Sequence, residues 1–114
     1  MRCGKGTTFE GGTRVPMIAH WPGVTPAGTV GRGVLASLDI LPTLVSLAGG
    51  SMPAGWGLDG HAATDLLLGH GTASPRNSTL VYFPQFPQRS RGLNGSGIYA
   101  ARAGRWKAHW CTQG

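Results

Sequence analysis

Acidic residues are scarce in this chain. Its 114 residues include four, Glu10, Asp39, Asp59 and Asp65, and no two are adjacent. A lone carboxylate has no partner for paired acid/base work. Cysteine is limited to Cys3 and Cys111, so one internal disulfide at most can form, and the sequence leaves open whether it does. His20, His61 and His70 lack metal-ligand spacing, and without paired cysteines or carboxylates no zinc site is expected. No window approaches eighteen apolar residues, so no membrane span is expected, and residues 1–20 lack the apolar core of a signal peptide. Charged residues make up only 12% of the chain, about half the usual share. A freestanding domain would have trouble covering its surface with so few charges, whereas a piece of a larger α/β core would have this composition.

The net charge is nevertheless +6, from 10 Lys and Arg against 4 acids. Such an excess can mark a nucleic-acid or other acidic partner. Here the basic residues are dispersed and no run of five exists, so nucleic acid is not the expected partner. An imbalance left by an acidic half lying elsewhere in a longer protein is the simpler account.

Glycine is abundant, with 20 residues, and its densest use is the opening stretch Arg2 to Pro16. Glycine lets backbone approach a ligand closely, and successive backbone N–H groups can form an anion-binding concavity. Lys5 lies between Gly4 and Gly6, where little side-chain cover surrounds its ammonium. The stretch is suited to an oxyanion, yet it is not a P-loop, since the Gly-Lys-Ser/Thr ending is missing. Thr7 and Thr8 are expected to stabilise the turn through side chain to backbone bonds. Glu10 and Arg14, spaced i, i+4, are expected to form a structural pair.

Beyond the loop, Val15–Trp21 reads as a short buried strand and Pro22–Gly33 as a Gly/Pro loop. Asp39 can cap a helix running to Ala48, with Pro42 in its first turn and Leu41, Leu44, Val45 and Ala48 on an apolar face. Ala62–Leu68 reads as a second short helix and Leu80–Phe83 as a strand. Gln85–Gly97 reads as a polar, mobile loop. Ile98–Arg102 and Trp106–Cys111 read as a hairpin turning at Ala103-Gly104-Arg105.

Several rare strings occur in order along this layout: Gly4-Lys5-Gly6-Thr7-Thr8-Phe9-Glu10-Gly11-Gly12, Arg14-Val15-Pro16, Trp21-Pro22-Gly23, Ser37-Leu38-Asp39-Ile40-Leu41-Pro42-Thr43, Leu58-Asp59-Gly60, Lys107-Ala108-His109-Trp110 and Thr112-Gln113-Gly114. Together they resemble the arylsulfatases of the sulfatase family over nearly the whole chain. The weakest stretch is residues 70–94.

The resemblance implies an α/β fold. The chain would be a fragment of an alkaline-phosphatase-like sulfatase domain, with residues 1–84 in the large sheet domain. Residues 97–114 would begin a smaller C-terminal antiparallel hairpin sheet. It also implies sulfuric ester hydrolysis in the full protein, a sulfate ester as substrate, Ca2+ or another divalent metal as cofactor, and a lysosomal or secretory compartment. Lys5 would touch the substrate sulfate and His109 would line its pocket. Cys3 would pair with a cysteine beyond Gly114, and Cys111 stands where the family has an aromatic.

The family's formylglycine arises in a Cys-x-Pro-Ser-Arg motif, and its metal is held by Asp-Asp and Asp-Asn pairs. Neither occurs here, so the resemblance places nucleophile and metal ligands upstream of Met1, and no catalytic residue is assigned in this chain. The alternatives are a catalytically inactive truncated fragment and a non-enzymatic basic module for sulfated glycans. Asn77-Ser78-Thr79 and Asn94-Gly95-Ser96 are glycosylation acceptor patterns.

Overall fold

Gly104 reverses the chain between two strands. Its φ of +54° lies in the left-handed region that tight hairpin turns require. In the computed structural model, which describes residue 1, residues 3–83 and residues 97–110, this turn joins β2 (Gly97–Ala103) to β3 (Trp106–His109). Ala103 pairs with Trp106, Arg102 with Lys107 and Ala100 with His109. The hairpin read from the sequence is therefore present. Its sheet also includes β1 (Ser78–Phe83), antiparallel to β2, in the order β1-β2-β3. The register shifts at Val81/Tyr82, where β2 carries one extra residue, Tyr99. Sequence reading grouped residues 78–83 with the earlier region; in the structure they are part of the hairpin sheet.

The chain forms two compact units. The first comprises residues 1–16 and 78–114 and holds the glycine-rich loop together with the sheet. The loop closes in a single helical turn, α1 (Glu10–Thr13), in which the Gly12 and Thr13 N–H groups donate to Phe9 O. Gly12 admits no side chain, because a Cβ there would stand 2.2 Å from Thr7 O. The most deeply buried residues of this unit are Thr8 and Ala100.

The second unit is residues 17–77. A 3-10 turn, Ser37–Asp39, leads into α2 (Ile40–Leu47), and α3 (Thr64–Leu68) ends at Gly69 in the left-handed region. The Asp39–Ala48 helix read from the sequence is thus present with slightly narrower bounds, but two of its features need correction. Asp39 makes no side-chain cap bond to α2; its carboxylate turns back to other partners. The buried side of α2 is Pro42 and Thr43, while Leu41 and Leu44 are each 53% exposed. Thr43 turns inward because its hydroxyl donates to Asp39 O and accepts from Ala63 N–H at 3.0 Å, so polar bonding rather than the leucine face sets the helix's rotation.

Val15–Trp21 is a further correction. No strand forms there, and Val15 and Ile18 are 83% and 90% exposed. A strand needs a pairing edge, and among the described residues no strand pairs with this segment, whose first two residues fall in the first unit and the rest in the second. Met17, Ile18 and Trp21 instead line one side of an open apolar groove of about 470 Å³, with Leu44, Leu47 and Leu68 on the other.

Gly60 is the tightest glycine of this unit, since a Cβ would stand 2.1 Å from Leu38 O and 3.1 Å from the Pro42 ring. Backbone cannot yield as a flexible side chain does. Gly60→Ala is expected to destabilise the chain by about 1–3 kcal/mol, the usual range for overpacking, with the urea midpoint as readout. Gly57→Ala, at a position with no atom within 4 Å, serves as the control.

Candidate functional site

The glycine-rich loop is tied to one face of β3. Alternate residues of a strand share a face, so Lys107 and His109 point the same way, and each makes a bond to the loop. The Lys107 ammonium donates to Glu10 Oε1 at 2.9 Å and to Thr13 Oγ1 at 3.3 Å. His109 Nδ1 lies 2.7 Å from Thr8 Oγ1 in hydrogen-bond contact. The Phe9 ring packs on the imidazole with centroids 4.8 Å apart and a 34° tilt. These contacts span about a hundred residues of sequence and define where the loop sits.

Inside the loop the two threonines have different tasks. Thr7 Oγ1 donates to Gly4 O at 2.9 Å, the turn-stabilising bond expected of it. Thr8, expected to do the same, is 1% exposed and bonds His109. No local sequence signal distinguishes them; the difference comes from a strand far along the chain. Glu10 and Arg14 form the expected i, i+4 pair at 3.7 Å, but Lys107 is the closer partner. The hydrogen bond from Lys107 holds the Glu10 carboxyl below its ordinary pKa, against partial burial, and the charges of Lys107, Arg102 and Arg14 act in the same direction.

Lys5 is exposed on this loop, and no hydrogen bond or ion pair engages its ammonium among the described residues. His109 is exposed as well. The structure brings the loop that carries Lys5 and the strand that carries His109 into one unit. Charge is segregated in the same way. Among the described residues the unit holds Lys5, Arg14, Arg102, Arg105 and Lys107 against one acid, Glu10, while the other three acids lie in residues 17–77.

The second polar cluster is buried in the other unit. Asp39 is fully buried, and its carboxylate accepts from Arg76 Nη2 at 2.6 Å, Arg76 Nε at 3.1 Å, Ala36 N–H at 2.8 Å and His61 N–H at 2.9 Å. Burial alone would raise its pKa, but the Arg76 bonds and the two backbone donors outweigh burial and bring it down to about 2. The same hydrogen bonds raise the pKa of Arg76. Arg76 also donates to Asp59 O at 2.6 Å, which fastens the turn before Gly60. Sequence reading missed Arg76; it lies 37 residues from its partner, with no periodic signal linking them.

Among the described residues no group of three or more His, Cys, Asp or Glu side chains is placed to hold a metal ion. The donor chemistry agrees: Asp39 is committed to Arg76 and Glu10 to Lys107. The residues described here therefore do not fit a divalent metal site. Cys3 is exposed and Cys111 lies outside the described residues, as do Asn94 and nearly all of the loop read at residues 85–97. Asn77 is exposed, one residue before β1. No helix among the described residues is long and apolar enough to cross a membrane.

Comparison with known proteins bears on the same residues. The family model described as N-sulphoglucosamine sulphohydrolase, C-terminal, matches residues 4–110. Arylsulfatase A of Homo sapiens is 48% identical over 114 residues, all of this chain and 21% of that protein. Arylsulfatase G of Mus musculus is 36% identical over 110 residues, 96% of this chain and 20% of the relative. An arylsulfatase of Hemicentrotus pulcherrimus is 35% identical over 112 residues, 98% of this chain and 18% of the relative. The chain thus spans about a fifth of the length of the curated relatives it matches. No solved structure matches it.

Proposed function

The chain belongs to the sulfatase family, and we propose that it forms part of an arylsulfatase-type sulfuric ester hydrolase, to which it contributes the loop that holds the substrate's sulfate through Lys5. The observation that carries this is the exposed ammonium of Lys5 on a glycine-rich loop, within a unit that among the described residues has five basic side chains against the single acid Glu10. A compact ammonium without a competing carboxylate suits an oxyanion, and it stabilises charge that builds on the sulfuryl oxygens as the ester bond breaks. His109, held against the loop by Thr8 and Phe9, would line the pocket for the sulfate ester.

In the full-length protein the chain would belong to an alkaline-phosphatase-like α/β sulfatase domain, with β1, β2 and β3 forming part of its smaller antiparallel sheet. The exposed apolar groove of residues 17–77 supports this extension, since Ile18, Leu41 and Leu44 would be covered by further chain. The nucleophile and the divalent metal would be supplied by that further chain. Glycosylation at Asn77 and at Asn94, and a lysosomal or secretory compartment, belong to the same reading.

Two experiments test it. The 114-residue chain alone should not hydrolyse an aryl sulfate, with or without added Ca2+, because no activated nucleophile can be assembled from its residues. Grafted in place of the matching 21% of human arylsulfatase A, it should support aryl sulfate hydrolysis. A well-folded graft without turnover would overturn the reading.

The charge segregation also favours a second reading, a non-enzymatic module that binds sulfated glycans. Salt-dependent retention of the isolated chain on a heparin matrix, unaffected by Lys5→Ala, would favour it.

A further inference from the structure

The imidazole of His109 is fixed on two sides, and that decides what its remaining nitrogen can do. Thr8 Oγ1 occupies Nδ1 at 2.7 Å and the Phe9 ring lies against the imidazole. Thr8 itself is 1% exposed, so water does not compete for this bond. His109 stands directly opposite Ala100, the most buried residue of the sheet, which fixes its backbone. No hydrogen bond engages Nε2 among the described residues, and the residue is exposed, so Nε2 is the nitrogen available to a ligand.

A neutral imidazole carries one N–H, and the bond made by one nitrogen sets the state of the other. If Thr8 accepts from Nδ1–H, Nε2 presents a lone pair, which repels an oxyanion. If Thr8 donates its hydroxyl proton to Nδ1, Nε2 carries the proton and presents a donor. The unit's charge favours an anion at this exposed edge, because its one acid, Glu10, is already held by Lys107.

We infer that Thr8 is a positioning residue whose hydroxyl donates to His109 Nδ1, locking the imidazole as the Nε2–H tautomer and presenting that N–H to the oxyanion bound by the Lys5 loop. This rests on the sulfate-binding reading above. It assigns Thr8, which touches no substrate, the task of setting the donor state of a residue that does.

The test reads the tautomer itself. In the 15N-labelled 114-residue chain at pH 8, long-range 1H–15N correlation of the His109 ring should show Nδ1 unprotonated and Nε2 protonated. Thr8→Val, nearly the same shape without the hydroxyl, should shift both nitrogens toward the averaged position. Thr8→Ser should restore the wild-type pattern. A protonated Nδ1 in the wild type, or a Thr8→Val spectrum unchanged from it, overturns the inference.

Steady-state kinetics of the arylsulfatase A graft separates this from the sulfate-binding reading. Thr8→Val is expected to raise KM for an aryl sulfate about tenfold, the worth of one hydrogen bond to an anion, and Thr8→Ser to return it. If Lys5→Ala lowers turnover but the tautomer does not respond to Thr8, the Thr8 assignment fails and the Lys5 reading stands. If the tautomer responds but neither Thr8→Val nor Lys5→Ala changes the kinetics, the oxyanion role fails, and both proposals with it.

Discussion

Asp39→Ala is expected to lower the stability of the chain by about 3–5 kcal/mol, the cost of breaking one side of a buried ion pair. The carboxylate is fully buried, and its removal leaves three groups without their partner: the Arg76 guanidinium, itself largely buried, and the N–H groups of Ala36 and His61. A domain is stable by only about 5–15 kcal/mol in total, so a loss of this size is measurable as a large fall in the urea midpoint. Adding Arg76→Met to Asp39→Ala removes the stranded cation and should recover part of the loss. If Asp39→Ala shifts the midpoint no more than an exposed substitution such as Asp65→Ala, the cluster does not hold residues 17–77 together.

The same cluster sets an acid limit. The folded pKa of Asp39 is about 2, depressed from 3.8 for the free side chain. A depressed carboxyl binds its proton more readily in the unfolded chain, so its stabilisation is fully present above the unfolded pKa. That stabilisation declines as pH falls through about 4 and is gone below about 2. The shift corresponds to roughly 2 kcal/mol. The stability difference between wild type and Asp39→Ala should therefore narrow by that amount between pH 5 and pH 2.

How legible this molecule is from its sequence depends on the range of the interaction concerned. The β2–β3 hairpin was legible because Gly104 sits between two alternating runs, and a two-residue turn fixes its own register. The helix at α2 was legible from Pro42 and from the glycines that end it. What failed was orientation. Helical spacing places Leu41, Leu44, Val45 and Ala48 on one side but does not say whether anything covers them. In this unit the inward side is chosen by Thr43 and by the Asp39–Arg76 cluster. Residues 15–21 failed for a related reason, since an apolar run predicts burial only where a partner surface exists. At the candidate site, the strings that resemble the sulfatases name Lys5 and His109, and the structure shows both exposed in one unit. The bonds of Thr8 and Lys107 were not legible, because each joins residues about a hundred positions apart and leaves no periodic trace.

In the arylsulfatase A graft, Lys5→Ala is expected to lower kcat about a hundredfold or more while leaving stability within about 0.5 kcal/mol of the parent. The two halves of this expectation have separate grounds. Stability is spared because Lys5 is exposed and its ammonium has no partner among the described residues, so truncation leaves no cavity and strands no charge. Turnover is expected to fall because an ammonium placed beside the sulfuryl group would be most valuable when charge has accumulated there, and a contact strengthened in the transition state appears in kcat more than in KM. About 2–4 kcal/mol is the usual worth of one such donor. Lys5→Arg should rescue poorly, since a planar guanidinium is larger and spreads its charge where a point charge fits. Glu10→Gln is the contrasting variant. It loosens the loop from Lys107 without touching the ammonium, so it should reduce stability slightly and change kcat less than Lys5→Ala. Steady-state kinetics with thermal melting alongside decides the matter: an unchanged kcat in Lys5→Ala, or a loss that follows melting temperature across the three variants, would return Lys5 to an ordinary solvated side chain.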